Sequence, residues 1–249
     1  MLRSARPLWR KAGLELVQFR PVKGKDPFAD MHALLGGDTN PLVCDVGANL
    51  GQSIDRFRRR FPRAVIHSFE PSPKTFAKLG KKCDRMVSVS PWNYAVGSRA
   101  GRHKLIENTL PGMSSILPPG KTAYGEIDRT VEIDIVTLDQ FAEQRDIDFI
   151  HILKSDAQGY ELEVFKGAQR MMQRNKIALI YFEFIFSEMY DNLPAFDEVF
   201  RFLSDQGFQL VSFYQPFFQN DLVSWADVLF INSEYYREHI VTYSTRRAA

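Results

Sequence analysis

Short apolar runs alternate with segments of helical periodicity along most of the chain. Leu42–Val46 is an apolar run that contains one acid and lies between proline and glycine, which is typical of a buried strand. In residues 52–60, apolar side chains recur at the three- and four-residue spacing of a helix that packs on one face. The same reasoning predicts further strands at 64–69, 86–90, 103–107, 131–136, 149–153, 177–184, 208–213 and 227–231, and helices at 8–17, 28–35, 73–79, from 137, at 160–174 and at 196–203.

This order of elements predicts a doubly wound α/β sandwich with a mostly parallel sheet. No low-complexity linker divides the 249 residues. We therefore expect one packed domain over residues 41–249, preceded by a small N-terminal helical extension over residues 1–40. Residues 111–125 are rich in glycine, proline and serine, which is the composition of a loop that could cover a site.

Composition and charge argue against several classes of protein. The formal net charge of +2 is close to balance and gives no support for a nucleic-acid or membrane surface. Two cysteines, Cys44 and Cys83, form neither a disulfide framework nor a metal motif. No apolar run is long enough for a signal peptide or a membrane span, so we expect a cytoplasmic protein. Its oligomeric state stays open, with a homodimer as one option.

Four acids lie at the ends of predicted strands. They are Asp45, Glu70, Asp156 and Glu183. In doubly wound sheets, ligands bind beyond the carboxyl ends of the strands. We therefore expect these four carboxyl groups to converge on one binding site.

The segment after the first strand has the glycine turn of a nucleotide-binding fold. Residues 45–51 read D-x-G-x-N-x-G, with Gly47 and Gly51 in the turn before a helix. A dinucleotide site would have a third glycine, and Asp45 would repel a pyrophosphate. S-adenosylmethionine carries an ammonium and a sulfonium and no phosphate, so Asp45 could order a water or accept a hydrogen bond from that ammonium. Glu70 could accept both ribose hydroxyls, as an acid also does in an NAD site.

The succession of motifs resembles the FkbM-type methyltransferases, which depend on S-adenosylmethionine. The resemblance covers roughly residues 40–190, and it departs from the usual pattern at Ser155 and Gln158. The motifs that carry it are VCDVGANLG at 43–51, FEPSP at 69–73, NYAVG at 93–97, VTLD at 136–139, LKSDAQGYE at 153–161, FKGA at 165–168, and Glu183.

The resemblance implies a class I methyltransferase fold, which is a Rossmann-like, doubly wound and mostly parallel sheet of seven strands. It also implies methyl transfer from S-adenosylmethionine, usually to a hydroxyl of a sugar, a glycan or a small natural product. An RNA or protein methyltransferase is a rival function, against which stand the near-neutral charge and the lack of an Asn-Pro-Pro-Tyr-type motif. An NAD-linked oxidoreductase and a binding module without activity are two further rival functions.

A hydroxyl acceptor must lose a proton during methyl transfer, so a base is expected in the site. Asp156 is the first candidate, either as that base or as the group that holds the methionine portion of the donor. Lys154 could orient the acceptor oxygen, or act as the base if burial lowers its pKa. Glu183 is the third candidate, and no metal-ligand spacing is present.

The cofactor site is predicted to draw on the glycine turn, the segment after the second strand, and the segment after the third. Serines 114 and 115 of the covering loop are either donor contacts or ordinary loop residues. The predicted cofactor-binding residues are Asp45, Gly47, Ala48, Asn49, Gly51, Gln52, Ser53, Glu70, Pro71, Ser72, Asn93, Ala95 and Asp156.

Overall fold

A seven-stranded sheet forms the centre of the protein in the computed structural model, which describes residues 23–38 and 40–241. Its strand order is β3-β2-β1-β7-β8-β10-β9. Only β10 runs against its neighbours, because it pairs antiparallel with both β8 and β9 while the other pairs are parallel. The strands are β1 (Leu42–Val46), β2 (Val65–Phe69), β3 (Val89–Trp92), β7 (Ile150–Ser155), β8 (Ile177–Ile185), β9 (Phe208–Gln219) and β10 (Leu222–Asn232).

A second, three-stranded sheet has the order β4-β6-β5. It consists of β4 (Ala95–Val96), β5 (Gly101–Asn108) and β6 (Ile127–Val136). The last two strands contain the predicted strands at 103–107 and 131–136, and they pair antiparallel. The loop between them contains a short 3₁₀ turn at Pro111–Met113.

Helices cover both faces of the large sheet. Successive strand residues point to opposite faces, so Val43 and Cys44 belong to different hydrophobic clusters. One face is covered by α1 (Pro27–Leu34), α2 (Gln52–Arg60) and α3 (Pro73–Cys83), and the other by α4 (Leu138–Gln144), α5 (Glu161–Lys166), α6 (Gln169–Gln173) and α7 (Phe196–Asp205). A short helix α8 (Ser233–Tyr236) and a π turn (Arg237–Val241) follow β10. The predicted doubly wound, mostly parallel sheet is thus confirmed.

The predicted single helix over residues 160–174 is wrong, since the chain breaks there into α5 and α6. A Cβ atom on Gly167 would lie 2.1 Å from the carbonyl oxygen of Gly97, so the backbone at the break packs against a distant loop. Asp139 then caps the second helix, because its carboxylate accepts hydrogen bonds from the backbone N–H groups of Arg170 and Met171 at 2.9 and 3.0 Å. A contact between distant segments therefore overrides a continuous helical periodicity.

The third strand also lies later than the predicted 86–90. Met86 still donates a backbone hydrogen bond to Cys83, so the turn after α3 continues through the first of those residues. Pro91 is tolerated in β3 because this strand lies at the edge of the sheet. The C-terminal hairpin, in turn, is longer than the predicted 208–213 and 227–231.

The predicted N-terminal extension is described only in part, and the predicted helix at 8–17 lies outside the described residues. Its described helix, α1, packs into the core: the Phe28 ring lies 5.0 Å from the Phe57 ring, and Tyr214 donates a hydrogen bond to Asp30 at 2.9 Å. The division of the chain at residue 40 stays a prediction. Among the described helices, none combines the length and the apolar character needed to cross a membrane.

Candidate active site

A cleft of about 610 Å³ opens at the carboxyl ends of β1, β2 and β7. Its walls are the turn after β1, the segment after β2, strand β4, the turn after β7, and part of the loop between β5 and β6. The site therefore lies where a doubly wound sheet places its ligands.

The turn after β1 requires glycine at its first position. Gly47 has φ +71°, and a Cβ atom there would lie 1.9 Å from the carbonyl oxygen of Asp156. Two neighbouring strand ends thus come too close for any side chain. Asn49 is also left-handed, with φ +48°, and Gly51 with φ +80° begins α2.

Glu70 connects the ends of the first two strands. Its carboxylate accepts hydrogen bonds from the backbone N–H groups of Asn49 and Ser72, each at 2.9 Å. Burial raises the pKa of Glu70 to about 7, although these two hydrogen bonds work in the opposite direction. The carboxyl group also faces the cleft, so it can accept further hydrogen bonds from a ligand.

The predicted cofactor residues divide into two groups by position. Those that line the cleft are Gly47, Asn49, Glu70, Pro71, Ala95 and Asp156. Those that the structure does not bring to its surface are Asp45, Ala48, Gly51, Gln52, Ser53, Ser72 and Asn93.

Several residues in the second group shape the segments around the cleft. The Ser72 hydroxyl accepts a hydrogen bond from the Thr75 backbone as the N-cap of α3, and it also donates to Glu107. The amide of Asn93 donates to the carbonyl oxygens of Glu70 and Pro71 at 2.8 and 3.0 Å. These side chains hold the segment after β2 in place, which is a role that their sequence positions alone do not reveal.

Asp45 forms an ion pair beneath the cleft instead of lining it. Its side chain is fully buried, and Oδ1 lies 3.0 Å from the Nζ atom of Lys154 on the neighbouring strand. Its other oxygen, Oδ2, has no hydrogen-bond partner among the described residues. Burial raises the pKa of Asp45, and the Lys154 ammonium acts against that rise.

The Lys154 ammonium is surrounded by oxygen atoms. Besides Asp45, it donates to the carbonyl oxygens of Gly47 at 3.2 Å and Val46 at 3.3 Å, and the Asp156 carboxylate lies 3.7 Å away. Burial acts to lower the pKa of Lys154, but the charges of Asp45 and Asp156 outweigh it and the pKa is raised. The condition under which Lys154 could serve as a base, a lowered pKa, is therefore contradicted by its surroundings.

Asp156, Gln158 and Glu183 form one hydrogen-bonded group at the edge of the cleft. The Gln158 amide donates to Asp156 at 2.7 Å and to Glu183 at 3.2 Å. Its oxygen accepts a hydrogen bond from the Tyr190 hydroxyl at 2.7 Å. Tyr190 has no role in the sequence prediction, because it comes from a loop after β8 that carries no motif and reaches Gln158 only through folding.

Glu183, the third candidate base, is buried beside other acids. Burial raises its pKa to about 9, and the charges of Asp156, Asp227 and Glu161 act in the same direction. Glu183 is therefore protonated near pH 7 and can donate a proton there but cannot accept one. Asp156, in contrast, faces the cleft with its side chain 38% exposed.

The loop between β5 and β6 forms one wall of the cleft, as predicted for a covering loop. Ser115 donates from its hydroxyl to the carbonyl oxygen of Gln158 at 2.7 Å and accepts from the Leu117 backbone at 3.0 Å. Ser114 accepts from the backbone of Asn108 at 3.1 Å. Both serines line the cleft and also fix the loop in place.

The chemistry of the lining is acidic and apolar. Of the described residues that line the cleft, Glu70 and Asp156 are acids and none is lysine or arginine. Asn49 adds a buried oxygen, Oδ1, that has no hydrogen-bond partner among residues 23–38 and 40–241. In that same part of the chain, no group of three or more His, Cys, Asp or Glu side chains is placed to hold a metal ion.

The fold and the position of the cleft define a class I methyltransferase architecture. Comparison of the sequence with protein families identifies the family: the profile of the methyltransferase FkbM domain matches residues 45–210, which is more than half of the chain. The chain belongs to this family of methyltransferases. Membership in it removes the support for an NAD-linked oxidoreductase.

Three curated relatives illustrate what the chain is similar to. It is 23% identical to the 2-O-methyltransferase NoeI of Sinorhizobium fredii, over 66% of this chain and 75% of the relative. It is 23% identical to the hexuronic acid methyltransferase AglP of Haloferax volcanii, over 67% and 65% respectively. It is 26% identical to the 31-O-demethyl-FK506 methyltransferase FkbM of Streptomyces tacrolimicus, over 71% and 76%.

Among solved structures, the chain is similar to the methyltransferase FkbM from Methylobacillus flagellatus. The TM-score is 0.52 at 15% identity, over 82% of this chain and 48% of that one. The chain thus spans about half the length of that protein, and the similarity supports the fold alone.

Proposed function

We propose that this protein binds S-adenosylmethionine in the cleft and transfers the methyl group to a hydroxyl of a sugar, a glycan or a natural product. The observation that carries the proposal is the lining, with two acids and no lysine or arginine among its described residues. An ammonium and a sulfonium without a phosphate suit such a lining. The names of the relatives, with their 2-O and 31-O positions and a hexuronic acid, support the acceptor class.

The described residues offer partners for the ribose and the adenine ring of the cofactor. Glu70 would accept hydrogen bonds from the ribose hydroxyls, since it lines the cleft between two strand ends. The turn at Gly47 brings the backbone close to the ligand, and the unpaired oxygen of Asn49 is a further acceptor. Apolar surface from Tyr94 and Val96 suits the adenine ring.

When bound, the cofactor supplies a methyl group that its sulfonium has already activated, so positioning contributes much of the rate. Asp156 would take the proton that the acceptor hydroxyl loses when it receives the methyl group. Asp156 is preferred to Lys154, whose ammonium is held by three oxygens, and to Glu183, which is protonated near pH 7. The Gln158 amide holds Asp156 at the cleft edge.

Calorimetry on the purified chain tests the cofactor. We expect S-adenosylmethionine and its demethylated product to bind and NAD not to bind. Glu70→Ala should weaken binding at least tenfold, while Glu198→Ala, an exposed acid on α7, should not change it. Binding of NAD without binding of S-adenosylmethionine would refute the proposal.

A methylation screen with labelled cofactor over sugars, glycans and natural products tests the reaction. We expect Asp156→Asn to lose turnover even when it is saturated with the cofactor, because an amide cannot accept the hydroxyl proton. Unchanged turnover in this variant would show that Asp156 is not the base. A wild-type chain that binds the cofactor but methylates no acceptor would favour the binding module.

A further inference from the structure

A second cleft, which we call the basic cleft, lies beside α1 and α2 on one face of the large sheet. It is open to solvent and has a volume of about 430 Å³. Four cations line it: Lys25 before α1, and Arg56, Arg59 and Arg60 on α2. The spacing of the three arginines, three and four residues apart, places them on one side of the helix.

These cations have no carboxylate within ion-pair distance in the part of the chain that the structure describes. No ion pair joins Lys25, Arg56, Arg59 or Arg60 to an acid there. The guanidinium of Arg56 instead lies 4.5 Å above the ring of Phe28. A helix dipole accounts for cations in the last turn of α2, but it does not account for Lys25, which arrives from another segment.

The two acids in the basic cleft are already engaged. Asp26 caps α1 by accepting hydrogen bonds from the backbone N–H groups of Phe28 and Ala29 at 3.0 and 3.2 Å. Asp227 accepts a hydrogen bond from the Tyr181 hydroxyl at 2.5 Å. The cleft therefore has four cations against two acids on a chain whose overall formal charge is only +2.

Polar side chains lie between the basic cleft and the candidate base. Asp227 pairs in register with Glu183 on the neighbouring strand. Glu183 is linked through Gln158 to Asp156 by hydrogen bonds of 3.2 and 2.7 Å. Neighbouring strands are about 4.8 Å apart, and β8 lies between β10 and β7. Asp227 in the basic cleft is therefore about 10 Å from the end of β7, which Asp156 follows directly.

We propose that the basic cleft binds an oxyanion, a carboxylate or a phosphate, on the sugar or glycan that accepts the methyl group. The planar guanidinium groups of its arginines match the two oxygens of such an anion in a bidentate manner. A glycan-sized acceptor spans the distance from this cleft to Asp156. The assignment as part of the acceptor site rests on the proposed function, whereas anion binding can be measured without it.

Calorimetry at low salt tests the cleft with three probes: glucuronic acid, glucose 6-phosphate and glucose. We expect the two acids to bind at least tenfold more tightly than neutral glucose, and we expect added salt to lower their affinity. The comparison of the two acids distinguishes a carboxylate from a phosphate. The double variant Arg59→Gln/Arg60→Gln should bind both acids at least tenfold more weakly. The control Arg85→Gln changes an exposed arginine outside the cleft and should leave their binding unchanged.

The affinity for S-adenosylmethionine, measured on the same samples, separates the two proposals. It should be the same in the wild type and in the double arginine variant. The proposed anion binding is refuted if the two acids bind no better than glucose. It is also refuted if they bind the double variant as tightly as the wild type. A methylation screen that favours neutral acceptors over acidic ones overturns it as well. Arginine-dependent anion binding without cofactor binding supports the cleft and overturns the proposed function.

Discussion

The ion pair between Asp45 and Lys154 offers a sharp test of how the site is supported. Lys154→Met removes the ammonium and leaves a fully buried carboxylate, together with the two carbonyl oxygens that Lys154 bonds. Breaking a buried pair on one side costs about 3–5 kcal/mol of unfolding free energy. The cost of protonating Asp45 has a similar size. Keeping Asp45 protonated at pH 7, about three units above its unfolded pKa of about 3.9, costs about 4 kcal/mol at 1.36 kcal/mol per unit.

Thermal and denaturant unfolding measure this loss. For a chain of this size, about 3–5 kcal/mol lowers the midpoint temperature by roughly 6–20 °C. Lys166→Met is the matched control, because Lys166 pairs with Glu163 at 2.7 Å on the surface, with a side chain that is 39% exposed. That variant should lose no more than about 1 kcal/mol.

The pH dependence gives a second signature. In Lys154→Met, the pKa of Asp45 rises further above its unfolded value, so the folded state binds the extra proton and stability falls as pH rises. The loss of unfolding free energy in Lys154→Met, relative to the wild type, should therefore become smaller by up to about 2–3 kcal/mol when the pH is lowered from 8 to 6. A loss as small as that of Lys166→Met, or a deficit independent of pH, would refute this account.

The double variant Asp45→Asn/Lys154→Met connects the ion pair to catalysis. Removing both charges should recover most of the lost stability, since no buried charge is left unpaired. We expect this variant to bind S-adenosylmethionine and to retain measurable turnover, because the proposed function assigns proton transfer to Asp156 and not to Lys154. If the variant folds and binds the cofactor but has no turnover, Lys154 takes part in the reaction.

Three further predictions concern the cleft itself. Binding of S-adenosylmethionine should weaken about tenfold from pH 8 to pH 6, because Glu70, with a pKa of about 7, must be ionised to accept hydrogen bonds from both ribose hydroxyls. Calorimetry on Glu70→Gln should show no such pH dependence. Gly47→Ala should lower the free energy of unfolding by more than about 2 kcal/mol, measured by thermal unfolding, because the added methyl group clashes with the carbonyl oxygen of Asp156. The control Gly80→Ala has no atom within 4 Å of the added methyl group and should be neutral or stabilising. Gln158→Leu should lower the rate of methyl transfer at least tenfold in single-turnover assays, with little change in cofactor affinity, because Asp156 loses the hydrogen bond from the Gln158 amide. An unchanged rate would show that Gln158 does not position Asp156.

Local patterns predict the central architecture well and its interruptions poorly. The strand Leu42–Val46 and the helix Gln52–Arg60 have the predicted bounds, since an apolar run and a glycine turn define them locally. The break at Gly167 depends on a backbone contact with Gly97, 70 residues earlier in the chain, and periodicity carries no trace of it. The longer C-terminal hairpin likewise depends on cross-strand pairing, with the Phe217 ring stacked on Trp225 at 3.9 Å.

The sequence by itself determined the family, the fold class and the placement of four acids at strand ends, because motifs and periodicity are local properties of the chain. Only the tertiary structure decided the surroundings of each acid. Strand register places Asp45 beside Lys154, whereas Glu70 and Asp156 face the cleft and Glu183 is buried among other acids. The reason is physical: the charge and the availability of a carboxyl group depend on its burial and its neighbours. Folding brings those neighbours from other segments of the chain, as it brings Lys154 to Asp45.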